Sequence, residues 1–160
     1  MATLQSKYGT EKQSITITLT SFTTNTFNSS TAVDNTTNLF LDVLVQLQVK
    51  SAAAATSSTG YVNVYAYGTV DAADNLYPDG LSGTAATGVT LTSPPNLRLI
   101  GTINVVANST TYVSEPFSVA AAFGGVLPEK WGIVVENQSG ATLDATTGAA
   151  YYQGIEGQSV

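Results

Sequence analysis

In the stretch Asn38–Lys50, NLFLDVLVQLQVK, the residues Leu39, Leu41, Val43, Val45, Leu47 and Val49 occupy every second position. An extended strand places such residues on one face, because successive side chains point to opposite sides. A helix would need apolar residues about every 3.6 positions, which strict alternation does not supply. The other face carries Phe40, Asp42, Leu44, Gln46, Gln48 and Lys50, apolar at its start and polar at its end. This pattern describes a strand near the middle of a sheet, with one face on a core and the other half covered. The rest of the chain must then pair with this strand or close over it.

The flanking segments read accordingly. In 13–20, Ile15, Ile17 and Leu19 alternate with threonines, which predicts a first strand. Residues 21–37 form a Thr/Asn/Ser-rich loop from which Phe22, Phe27 and Val33 fold back onto the sheet, and 51–60 is a small-residue loop. A strand follows at 60–70, with Val62, Val64 and Ala66 on one face and Tyr61, Asn63, Tyr65 and Tyr67 on the other. Residues 71–92 make a long surface excursion with turn chemistry at Tyr77-Pro78-Asp79-Gly80 and one short strand at 89–92. The segment 97–106 is a strand in which Gly101 marks a bulge or a close approach, and Pro116 gives 111–119 an edge position. One helical turn at 118–123 ends at Gly124-Gly125. Trp131 opens a buried strand at 131–137 as a core anchor. A hairpin turn at 138–140 leads into 141–145, and 151–155 is the last strand. The expected fold is all-β, a jelly-roll-type β-sandwich of about eight strands with little helix. The expected organisation is a polar arm or edge segment at 1–12, carrying Leu4 and Tyr8, and one domain at 13–160.

Charge decides what partners are excluded. Charged residues make up 10% of the chain against roughly 25% in typical domains, and Thr, Ser, Asn and Gly take their place. A surface of short side chains leaves little to immobilise when copies pack together. The net charge of −6, with Lys7, Lys12, Lys50, Arg98 and Lys130 scattered, argues against nucleic acid. No apolar run approaches membrane-spanning length, and the first ten residues lack a signal peptide's apolar centre, so synthesis in the cytoplasm and no membrane partner are expected. The chain contains no Cys and no His, which removes thiol nucleophiles, the usual zinc sites and the commonest general base.

The remaining chemistry is sparse. Asp71, Asp74, Asn75 and Asp79 form the densest oxygen cluster, which Ca²⁺ would accept, but Pro-Asp and Asp-Gly are ordinary turn residues and the structural turn is the stronger reading. The glycines of Gly83–Gly88 resemble a phosphate loop without its Gly-Lys. No catalytic residues, metal site or cofactor are expected. Tyr61, Tyr65 and Tyr67 could stack on sugar rings or centre a subunit contact, although tyrosines covering the core with hydroxyls at the rim is the plainer account. With Leu4 and Tyr8 they make the candidate interaction surface.

The opening MATLQSKYGT and several motifs near the other end carry a resemblance. These are Phe123–Pro128 (FGGVLP), Trp131–Val135 (WGIVV), Asn137–Gly140 (NQSG) and Tyr152-Gln153-Gly154. Together they resemble small virion structural proteins of tailed bacteriophages over about the first and last fifty residues. The resemblance implies a component of the phage particle, often a decoration or cement protein bound outside the capsid lattice to the major capsid protein. No catalytic residues come with it. It also implies positions of three-fold symmetry, so a homo-oligomer, most simply a trimer whose arm reaches a neighbour or the capsid, is expected. The rival expectation is a carbohydrate-binding sandwich gripping host glycans from the virion. A secreted adhesin is weaker, because the first residues do not read as a signal peptide.

Overall fold

The computed structural model describes residues 3–71, 73, 76–92 and 95–160. Two antiparallel sheets pack as a sandwich. In chain order the strands are β1 (Leu4–Tyr8), β2 (Gln13–Ile15), β3 (Thr26–Ser29), β4 (Val33–Asp34), β5 (Asp42–Lys50), β6 (Tyr61–Thr69), β7 (Ala86–Thr87), β8 (Arg98–Asn104), β9 (Thr111–Val113), β10 (Phe117–Ser118), β11 (Lys130–Gln138) and β12 (Gly148–Ser159). The first sheet runs from β1 and β2, which share one side of β12, through β5 to β9 and β10. The second runs β7–β3–β11–β6–β8, with β4 continuing beside β11. The chain changes sheet after β2, β4, β5, β8, β10 and β11.

The alternating strands meet between the sheets. Val43, Val45, Leu47 and Val49 of β5 are all 0% exposed, and they face Val62 and Val64 of β6 and Trp131, Ile133 and Val135 of β11. Trp131 anchors the core as expected, standing edge-on to Tyr152 of the facing sheet with ring centroids 5.4 Å apart. Gly101 has both roles foreseen for it. The ladder between β6 and β8 slips there, and a Cβ at this position would collide with the Phe117 ring. Pro116 lies between β9 and β10 on the sheet edge, where a missing N–H is tolerated.

Several sequence expectations are corrected. Leu39 and Leu41 are 72% and 49% exposed, and β5 begins only at Asp42. The cause is a clasp: the Asn35 side chain donates to the Phe40 carbonyl (3.1 Å) and accepts from the Phe40 N–H (2.9 Å). That clasp holds Leu39 at φ 54° and turns Phe40 inward in place of its neighbours. The sequence 138–140 does not open a hairpin, since β11 and β12 lie in different sheets. Instead 139–147 crosses the end of the sandwich and buries Leu143. The first strand stops at Ile15, and the excursion contributes a strand at Ala86–Thr87 rather than at 89–92.

The segment 1–12 is an edge strand over Leu4–Tyr8. It pairs with the last part of β12, from Leu4 opposite Ser159 to Tyr8 opposite Ile155. β5 reaches only as far as Ile155, so beyond it β1 and Glu156–Ser159 form a two-stranded ribbon projecting from the sheet. Gln5, Ser6, Lys7 and Tyr8 are all exposed, so their side chains add no core.

Candidate interaction surfaces

On the outer face of the second sheet, the register sets Glu136 opposite Asn63 and Gln138 opposite Tyr61. Glu136 therefore gathers its neighbours: one carboxylate oxygen accepts from Asn63 Nδ2 (3.0 Å) and the Tyr65 hydroxyl (2.9 Å), and the other accepts from Gln138 Nε2 (3.0 Å). The Thr102 hydroxyl donates to Asn63 Oδ1 (2.8 Å). Burial, with the Glu136 carboxylate beside it, pushes the Tyr65 phenol up to about 12. Tyr61 stands at the edge of this network, 38% exposed.

Tyr67 is separated from the other two. It is 1% exposed and lies under the excursion, packed with Tyr77, Leu81 and Val134 in a second apolar layer. Its hydroxyl donates to the Ser30 carbonyl (2.7 Å), its ring meets Tyr77 edge-on at 5.6 Å, and Gly132 leaves the room the ring needs. Burial pushes its phenol up to about 12 as well. The tyrosine face is thus split by depth, and Tyr67 belongs to no surface. Tyr8 is 64% exposed on the projecting ribbon, and the side chain of Leu4 lies outside what the structure describes.

The excursion is pinned by Asp79. Its carboxylate accepts from the Thr92 hydroxyl (2.6 Å), the Asn96 amide N–H (2.7 Å) and Asn96 Nδ2 (2.9 Å), and these bonds hold its carboxyl below the usual range. Both oxygens are committed to the turn, which is the structural role weighed against calcium. Asp74 and Asn75 lie outside the described residues. Among the described residues no group of three or more potential ligands converges on a metal position. Other acids lock turns in the same way. Asp42 binds Ser118 and the Ala120 N–H, and Asp144 binds Thr146 and Lys50.

Two further surfaces went unread in the sequence. One is a groove of about 450 Å³ on the outer face of the first sheet, lined by Gln46, Gln48, Tyr151, Gln153, Glu11 and Lys12. Its signal was the polar face of the central strand, which meets outward-pointing Tyr151 directly opposite Gln46. Lys12 lies 4.8 Å from the centre of the Tyr151 ring. The other is one end of the sandwich. The loops at 35–41 and 124–129 are tied there by the Asn35 N–H to the Glu129 carbonyl (2.7 Å), and they leave Leu39, Leu41 and Val126 exposed. Leu41 bonds through its N–H to the Ile155 carbonyl (2.7 Å), so this end adjoins the root of the ribbon.

No protein-family model matches the chain, and neither the search of curated proteins nor that of solved structures returns a match.

Proposed function

We propose that this protein is a non-enzymatic structural component of a tailed-phage virion, a decoration or cement protein that binds the major capsid protein from outside and stabilises the head. It is made in the bacterial cytoplasm, takes no cofactor, and works as a homo-oligomer, most simply a trimer. The observation that carries this reading is the uncovered apolar end: Leu39, Leu41 and Val126 stand 72%, 49% and 71% exposed beside a projecting ribbon. Large apolar side chains left exposed on two loops that are tied together at one end of the sandwich make that end a candidate interaction site. The resemblance to small virion proteins supplies the context, and the acids tied into turns supply no reacting group. We read the strand order β2–β12–β5–β10 facing β3–β11–β6–β8 as a jelly roll, which agrees with that context. Quantitative mass spectrometry of purified virions tests the role. The expected result is a copy number in fixed, capsid-scale proportion to the major capsid protein. A handful of copies at the tail, or none in the particle, overturns it.

A second reading, adhesion to host glycans, is favoured by the groove over the first sheet. An aromatic ring among amide side chains suits a saccharide, which offers an apolar face and many hydroxyls. Under this reading soluble glycans raise the melting temperature of the protein, and Tyr151→Ala removes the shift. No shift across a broad glycan panel eliminates it.

A further inference from the structure

We infer that β1 is an exchangeable strand: in the assembled protein, residues 3–8 of one copy occupy on a second copy's β12 the place they hold on their own. The inference rests on the self-association proposed above and gives it a mechanism. Three observations lead to it. The ribbon is held by main-chain bonds that any identical chain can supply, including Thr3 N–H to the Val160 carbonyl (3.0 Å), Val160 N–H to the Thr3 carbonyl (2.9 Å) and Gly9 N–H to the Gly154 carbonyl (2.8 Å). The side chains of Gln5, Ser6, Lys7 and Tyr8 are exposed, so lifting the strand uncovers no core from them. β1 and β2 run in the same direction along β12, and the link between them is a bulge, five positions from Tyr8 to Gln13 against three from Ile155 to Tyr152, in which Lys12 is held at φ 51°, a left-handed conformation that a residue with a Cβ adopts at a cost.

Exchange keeps every bond of the ribbon and lets the stretch between β1 and β2 run extended, releasing the strain at Lys12. Opposing it is the entropy of bringing copies together, which concentration on a lattice reduces. β1 and β2 both lie along the same side of β12, with Ser14 opposite Tyr151 and Tyr8 opposite Ile155, so straightening the bulge at 9–12 frees β1 while β2 stays in place. The occupant is a second copy of this chain because the matching register already exists: Lys7 stands directly opposite Glu156, and the exchanged pairing reproduces that opposition of charge.

The absence of cysteine makes the test clean. Opposed positions in an antiparallel ladder lie within disulfide reach, with Cα atoms about 4.5–5.5 Å apart. The full chain carrying Lys7→Cys and Glu156→Cys is oxidised at rising protein concentration, resolved on a non-reducing gel, and sized in parallel by light scattering. Exchange predicts disulfides between chains, closing into covalent rings, at a fraction that grows with concentration. Adding Lys12→Pro, which cannot take the left-handed conformation of the bulge, raises that fraction, and Lys12→Gly lowers it. Oligomers in solution with disulfides only inside single chains overturn exchange and leave self-association standing. Monomers with internal disulfides overturn both.

Discussion

Val45 and Tyr67 mark two buried layers at the level of single residues, one between the sheets and one beneath the excursion. Val45 is 0% exposed in the core between the sheets. Val45→Asp therefore places an unpaired carboxylate in the core, a loss above about 4 kcal/mol that exceeds what many small domains can spare. The expected outcome is no soluble, cooperatively melting protein. A normal melt followed by the fluorescence of Trp131, the sole tryptophan, would show that β5 faces the other way. Tyr65 and Tyr67 give a pH prediction. Both phenols are raised to about 12 by burial, while an unfolded tyrosine ionises near 10. A raised folded value means that the contribution to stability is complete below about pH 10 and is lost as pH rises from about 10 to 12. Denaturant midpoints should thus fall across that window, and Tyr67→Phe should flatten the fall. An unchanged midpoint there would contradict the burial of these rings. Alternation alone identified Val43, Val45, Leu47 and Val49, yet it misplaced Leu39 and Leu41. What moved them is the Asn35 side chain reaching Phe40, a bond between positions with no periodic relation.

Among the elements, β5, β6 and β11 were legible because each has one apolar face at period two, whereas in β8 the bulge beside Gly101 turns Leu99 outward and Ile103 inward. The connections were less so. Gln138-Ser139-Gly140 has hairpin chemistry, and nothing local indicates that the chain crosses to the other sheet there. The groove beside Tyr151 was hidden for a similar reason, since it needs the register of β12 on β5 as well as the pattern of each. The ribbon has its own energetics. Ordering a residue's backbone costs roughly 1–2 kcal/mol, while a hydrogen bond returns about 0.5–1.5 kcal/mol net. The side chains of Gln5, Ser6, Lys7 and Tyr8 are exposed, so for these residues the two nearly cancel, and removing the ribbon strand should change stability by less than about 1 kcal/mol. A chain beginning at Gln13 is expected to melt within a few degrees of the full chain. A loss of cooperativity would mean that β1 is integral to the sandwich. The excursion depends instead on Asp79 and its bonds to Thr92 and Asn96. Its melting is expected to be the same with calcium as with chelator. A rise of many degrees on adding calcium would reinstate Asp71, Asp74 and Asp79 as ligands.

For the whole molecule, the sandwich is a fold of distant contacts, with β1 and β2 against β12 and β3 against β11. Such topology folds slowly, and the edge strands have to be covered or blunted against unwanted pairing. One edge is blunted by Pro116, and the other carries the exposed strand β1, with Tyr8 and Lys7 at its surface. The proposed function requires the apolar end and the open edge of β1 to be covered by other chains. The most direct measurement of that claim is native mass spectrometry of the full chain beside a variant carrying Leu39→Ser, Leu41→Ser and Val126→Ser. A closed oligomer is expected for the first, and for the second a monomer that still melts cooperatively. A wild-type chain that stays monomeric through the micromolar range would contradict that claim, as would a variant that unfolds because those three residues belong to the core.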